Sequence, residues 1–290
     1  VVASVDQHDV AVIMYTSGTT GPSKAVMMPH AHCMLYGIGA IEAFEINEED
    51  KYYICLPLFH ANGLLMQLGT SLIAGIGAVI RARFSASEWL NDIHKYKVTV
   101  TNLLGALAAF VISQKPSKDD KNHSLRAVLN GPNIAEHEAI FRARFGIKDV
   151  LSGFGMTEVN VPIWGKIGAP RPGAAGWPHE QRFDVVIANP DTDEALPYGE
   201  VGEILVRPKI PFTFMAGYYG MPEKTVEAWR NLWFHTGDAG FQNEDKLITF
   251  VDRIKGWIAC RRSGRFRSWC TKIHIGLLQL FTSFWLVHQA

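Results

Sequence analysis

Between residues 10 and about 155, short apolar runs alternate with segments of helical spacing, and few architectures accommodate that order. Val10-Ala-Val-Ile-Met-Tyr15 is continuously apolar, Tyr52-Tyr-Ile-Cys-Leu56 ends at Pro57, and shorter runs follow at 78–81, 98–103 and 125–129. Continuous runs of this length suit strands buried on both faces. Residues 29–44 lie between the first two, with Met34, Ile38, Ile41 and Phe44 spaced by threes and fours as on one helical face. A glycine-punctuated helix is expected over 63–74. Another is expected over 87–96, with Ser87 supplying its hydroxyl as the cap. The alternation predicts an α/β fold, a layered mixed sheet flanked by helices and largely parallel in its strands.

Beyond about residue 175 the pattern changes. Phe183-Asp-Val-Val-Ile187 and Gly202-Glu-Ile-Leu-Val-Arg207 are separated by proline, glycine and aspartate, which suits a small antiparallel, barrel-like subdomain. The expected organisation is an α/β unit over 1–175 and a β-rich unit over 176–250. The start of a hinge follows over 251–258, and then a tail of different character over 259–290. That tail crowds Arg261, Arg262, Arg265, Arg267 and Lys272 ahead of an apolar stretch too short for the ~20 residues of a membrane helix.

Charge excludes some partners. The 28 Lys and Arg balance the 28 Asp and Glu, so neither nucleic acid nor an anionic membrane is implied. Cysteines at 33, 55, 260 and 270 form no CxxC pair and no zinc-ligand spacing, which suits a reduced, cytoplasmic setting.

The segment Thr16-Ser-Gly-Thr-Thr-Gly-Pro-Ser-Lys24 follows the first apolar run directly. Gly18 and Gly21 let backbone N–H groups turn toward a phosphate, Ser17, Thr19 and Thr20 add hydroxyls, and Lys24 adds a positive charge. Gly18 and Gly21 stand too close for a Walker A loop, and no Ser or Thr follows Lys24. A phosphate loop of another kind is indicated.

That loop resembles the signature of the adenylate-forming superfamily, which includes acyl-CoA synthetases, luciferases and peptide-synthetase adenylation domains. Four further segments resemble the superfamily's motifs in its own order. They are Leu56-Pro-Leu-Phe-His60, Gly153-Phe-Gly-Met-Thr-Glu158, Trp233-Phe-His-Thr-Gly-Asp238 and Val251-Asp-Arg-Ile-Lys255. The resemblance implies ATP, Mg²⁺ and CoA as cofactor and co-substrates, with a carboxylic acid as the group activated. The loop and the segment at His60 are closer to CoA ligases of fatty or carnitine-like acids than to peptide-synthetase domains.

On this resemblance Thr16, Ser17, Gly18, Thr19, Thr20, Gly21 and Lys24 cradle the departing pyrophosphate. Phe154 stacks on adenine, Gly155 keeps the backbone open, Thr157 donates to the α-phosphate and Glu158 holds Mg²⁺. Gly131, Pro132 and Asn133 lie beside the base. Asp238, expected in a tight turn after Gly237, accepts the ribose hydroxyls with Arg253 nearby, and His60 stands at the acyl-carboxylate pocket. The remaining histidines, His30, His32 and His235 among them, read as structural. The pattern departs from the superfamily's at Ala25, where glycine is common, and is lost from Ala259 onward. The expectation is therefore a chain truncated at both ends, without the superfamily's C-terminal lid and its lysine. The alternative function is a nucleotide-binding fragment unable to complete catalysis.

Overall fold

The structure is a computed structural model that describes residues 4–16, 23–132 and 134–254. Ser17, Gly18, Thr19, Thr20, Gly21, Asn133, Lys255 and the tail over 259–290 lie outside the described residues. The first two strands, β1 (Val10–Thr16) and β2 (Lys24–Pro29), pair antiparallel and lead directly into helix α1 (His30–Phe44). The apolar run over 10–15 suggests burial on both faces, but only Met14 is buried. Val10, Ile13 and Tyr15 are 46%, 42% and 71% exposed. The reason is placement: β1 lies at the edge of a small antiparallel sheet, with β2 as its partner there.

The parallel sheet is built from β3 (Lys51–Ile54), β4 (Gly77–Ile80), β5 (Val100–Leu104), β6 (Ala127–Gly131) and β7 (Asp149–Leu151), in the order β4-β3-β5-β6-β7. Alternate residues face opposite ways along each strand. Tyr52, Ile54, Val100, Ala127, Leu129 and Leu151 join the core that contains Leu35, Tyr36, Ala40 and Phe44 of α1. Tyr53, Cys55, Leu103, Val128 and Val150 join a second core on the other face. That second core contains Trp89 and Ile93 of α3 (Ala86–Tyr96), Ala108 and Val111 of α4 (Ala106–Ile112), and Phe141 and Phe145 of α5 (Ala135–Phe145). Between β3 and β4 the chain forms a π-helical turn (Asn62–Leu68) that continues into α2 (Gly69–Ala74).

The N-cap of helix α3 lies two residues before Ser87. Ser85 is the N-cap and its Oγ accepts from the amide of Glu88 at 3.4 Å. Ser85 and Glu88 carry the spacing of a capping box, and Ser87 already lies in the first turn.

Parallel pairing ends at Leu151. An antiparallel sheet follows, made of β8 (Gly153–Met156), β9 (Asn160–Trp164) and β10 (Trp177–Pro178). The last four-stranded sheet, order β11-β12-β14-β15, is antiparallel throughout. Its strands are β11 (Phe183–Ala188), β12 (Gly202–Pro208), β14 (Phe234–Gln242) and β15 (Ile248–Arg253). The two-residue strand β13 (Gly217–Tyr218) leaves this region to pair with β2, and α6 (Pro222–Ala228) follows it. Among the described residues no helix is long and apolar enough to cross a membrane.

Candidate functional site

The register of the small sheet brings three side chains together. Tyr218 of β13 pairs with Val26 of β2. Lys24 lies two residues from Val26 and so on the same face. The Lys24 Nζ donates to the Tyr218 hydroxyl at 2.9 Å and stands 4.2 Å from the ring centroid, a cation–π approach. The Tyr218 hydroxyl donates in turn to Glu158 Oε1 at 2.9 Å. Glu158 is 3% exposed, so a buried carboxylate is tied through one phenol to the Lys24 ammonium. Burial, first, and the Glu158 carboxylate, second, push the Tyr218 phenol above its ordinary range, which keeps its proton available for this bond. Thr16, paired with Lys24 across the ladder, accepts no part in this chain; its Oγ1 donates to the Lys24 carbonyl at 3.4 Å.

Glu158 sits in the turn between β8 and β9, one residue after half-buried Thr157. Gly155 is required here by close approach rather than by openness. A Cβ at this position would lie 2.3 Å from the Asn160 carbonyl oxygen and 2.9 Å from Val161 Cα. Phe154 is buried, with its ring stacked against Phe250 of β15 at 6.3 Å and 25° between planes.

Asp238 lies within strand β14 and not in a turn. Leu205 pairs with His235 and Glu203 with Ala239, so Thr236, Gly237 and Asp238 fill a bulge opposite a shorter stretch of β12. Gly237 adopts φ 71°, conformational freedom that glycine supplies at a bulge. The Gly237 amide donates to buried Glu203 Oε1 at 2.9 Å, and the Asp238 amide to Thr236 Oγ1 at 3.1 Å. The result is a carboxylate 3% exposed, paired with Arg253 Nε at 2.8 Å from the facing rung of β15. Burial pushes the Asp238 carboxyl up to about 6. Arg253 opposes the rise, while Glu203, Asp252 and Glu158 add to it.

At the end of β6, Gly131 and Pro132 are joined by a cis peptide bond. Asn130, just before them, is 1% exposed, and neither side-chain polar atom has a hydrogen-bond partner among the described residues. His60 is exposed, tilted against Phe59 at 4.7 Å between centroids. Among the described residues no hydrogen bond or ion pair links it to the group around Glu158. Tyr218 and Glu203 are the residues that sequence reasoning missed. Glu203 carried a signal, the Gly-Glu start of an apolar strand, whereas Tyr218 sits in a strand of two residues with no periodicity to read.

The AMP-binding enzyme family matches residues 1–219 of this chain. The chain is 31% identical over 255 residues to the medium/long-chain-fatty-acid–CoA ligase FadD17 of Mycobacterium tuberculosis, covering 88% of this chain and 49% of that protein. It is 33% identical over 252 residues to the crotonobetaine/carnitine–CoA ligase of Salmonella typhimurium, covering 84% and 48%. Among solved structures, ATP-bound MatB from Rhodopseudomonas palustris superposes with a TM-score of 0.77 at 27% identity, over 87% of this chain and 49% of that one. O-succinylbenzoate coenzyme A synthetase from Bacillus subtilis, in complex with ATP and magnesium, gives 0.75 at 26% identity, over 86% and 51%. The chain spans about half the length of the curated relatives it matches.

Proposed function

The chain belongs to the AMP-binding enzyme family, and on that premise we propose that its described residues bind ATP with Mg²⁺ to activate a carboxylate, in a protein whose whole activity is acyl-CoA synthesis. The observation that carries this reading is the Lys24–Tyr218–Glu158 chain, which joins the phosphate-loop lysine to a buried carboxylate. The carboxylate oxygen of the acid attacks the α-phosphorus, the bond to the β-phosphate breaks, and pyrophosphate leaves. The thiolate of CoA then attacks the acyl carbon and AMP leaves.

Lys24, with Thr16, Ser17, Gly18, Thr19, Thr20 and Gly21, balances the charge on the departing pyrophosphate. Thr157 donates to the α-phosphate. Asp238 accepts the ribose hydroxyls with Arg253 beside it, and Phe154, Gly155, Gly131, Pro132 and Asn133 surround the base, where Asn130 has amide atoms to offer. His60 stands on the side of the acid.

The donor set suits Mg²⁺. No group of three or more His, Cys, Asp or Glu that could hold a metal occurs among the described residues. Mg²⁺ is bound by one or two carboxylates together with substrate phosphates and water. Tyr218 takes one oxygen of Glu158 and leaves the other for the ion, which would supply charge neutralisation at the phosphates. Relatives named for fatty and carnitine-like acids support an acid of that class.

The test is calorimetric titration of ATP with and without Mg²⁺, followed by pyrophosphate exchange across a panel of carboxylic acids. Mg²⁺-dependent ATP binding is the expected result, and no nucleotide binding by the folded chain would overturn the reading.

A further inference from the structure

Helix α1 reaches the Glu158 turn with two side chains one helical turn apart. Residues 32 and 36 share a face of the helix, and His32 and Tyr36 are 0% and 3% exposed. The Tyr36 hydroxyl donates to the Met156 carbonyl at 2.7 Å. The His32 ring, edge-on to Tyr36 at 5.4 Å, places Nε2 2.9 Å from the Thr157 carbonyl and Nδ1 2.6 Å from the Thr213 carbonyl. The next carbonyl, of Glu158, accepts from the amide of Met215 at 3.0 Å. Three consecutive carbonyls, those of residues 156, 157 and 158, are thus met from outside the turn. Asn160 closes the contact from the other side: its Nδ2 donates to the His32 carbonyl at 2.9 Å, and its own backbone turns through φ 68°.

Within the turn the Val159 amide donates to the Met156 carbonyl at 3.2 Å, and Met156 pairs with Asn160 across it. Its side chains at 157 and 158 are the two that the proposed function places against phosphate and metal. The segment held by His32 and by Glu158 continues through Met215 to Tyr218, the partner of both Glu158 and Lys24. Helix α1 itself follows β2, which begins at Lys24.

We propose that Tyr36 and His32 are positioning residues: Tyr36, bonded to the Met156 carbonyl, and His32, seated between the Thr157 and Thr213 carbonyls, hold the 156–158 turn so that Thr157 and Glu158 aim at the metal–nucleotide, while the Met215 amide on the Glu158 carbonyl joins that turn to the segment carrying Tyr218. This rests on the proposed assignment of Glu158 to Mg²⁺. Neither side chain touches the nucleotide. They act through the backbone, where preorganisation of a ligand removes an ordering cost that binding otherwise meets. Burial holds the His32 pKa down at about 4, so at neutral pH the ring carries one N–H and donates to one of its two carbonyls. Tyr36 and Asn160 hold the turn whichever tautomer is present.

The decisive variant is Tyr36→Phe, which keeps the ring and removes one donor. Loss of one hydrogen bond to the turn corresponds to a drop in MgATP affinity of about 3- to 10-fold. Affinity for ATP without Mg²⁺ should fall less than MgATP affinity, because Thr157 is misaimed in both cases and Glu158 matters only where the ion is present. His32→Phe should do the same, and His32→Gln, which restores an amide donor, should recover part of the loss. In the Glu158→Gln background, Tyr36→Phe should add no further Mg²⁺-specific loss. Amide exchange at Val159 and Met215 should quicken in Tyr36→Phe. A lowered melting temperature with an unchanged ratio of MgATP to ATP affinity would overturn the proposal, leaving a fold role alone. An unmodified chain that binds ATP with no Mg²⁺ dependence would instead overturn the assignment of Glu158.

Discussion

Replacing Tyr218 by phenylalanine removes a single oxygen from the centre of the site and keeps the ring over which Lys24 lies. That oxygen accepts from Lys24 and donates to Glu158, both at 2.9 Å. Glu158 is 3% exposed, so water cannot simply take the place of the hydroxyl. A hydrogen bond to a buried charged group is worth about 1.5–3 kcal/mol. Lys24 is a flexible, half-buried side chain, and direct pairing with Glu158 recovers part of this, so a net loss of about 1–2 kcal/mol is expected. For a chain of this size each kcal/mol moves Tm by about 2–4 °C. Tyr218→Phe should therefore melt about 2–8 °C lower. Denaturant unfolding of Tyr218→Phe, Glu158→Gln and the double variant measures the coupling directly, and the double variant should lose less than the sum. Additive losses, or Tyr218→Phe as stable as the unmodified chain, would refute the hydroxyl's role as the link.

Three further outcomes are expected. Glu158→Gln keeps size and removes charge, so Mg²⁺-dependent ATP affinity should fall by calorimetry while metal-free affinity is little changed. Asp238 titrates near 6 in the folded chain against 3.8 unfolded. Between those values the folded state binds more protons, so this group makes stability fall as pH rises through the window. Denaturant unfolding across that range should show the slope, and Asp238→Asn should flatten it. Gly155→Ala would set a Cβ 2.3 Å from the Asn160 carbonyl oxygen. Overpacking of this kind costs about 1–3 kcal/mol, which thermal unfolding would register, and β9 would have to shift.

The parallel sheet was legible because burial on both faces writes a continuous apolar run, as in Tyr52-Tyr-Ile-Cys-Leu56, and because the intervening helices carry their own spacing. The same signal misled at β1. An apolar run states what a strand is made of and not which sheet accepts it, and Tyr15 stays 71% exposed. Thr236-Gly237-Asp238 has the composition of a turn, and only pairing with β12 shows that the strand continues through it as a bulge. Tyr218 could not be read at all. Its partners are 60 and 194 residues away in sequence, and a two-residue strand has no period. Residues tied to a local backbone shape, Gly155 and Gly237, were visible, although the reason for Gly155 is the approach of Asn160.

The rung pairing Thr16 with Lys24 has a consequence for how this site tolerates change. Side chains along a strand alternate between two faces, so the face that Lys24 occupies is a matter of parity. Deleting or adding one residue within β2 would carry the ammonium to the far side of the sheet, away from Tyr218, however faithfully the glycines and hydroxyls before it were kept. Additions between residues 16 and 24 leave the parity untouched. The lysine is thus indexed from the ladder behind it rather than counted forward from the loop, and sequence spacing to Gly21 is the wrong ruler for asking whether it is in place.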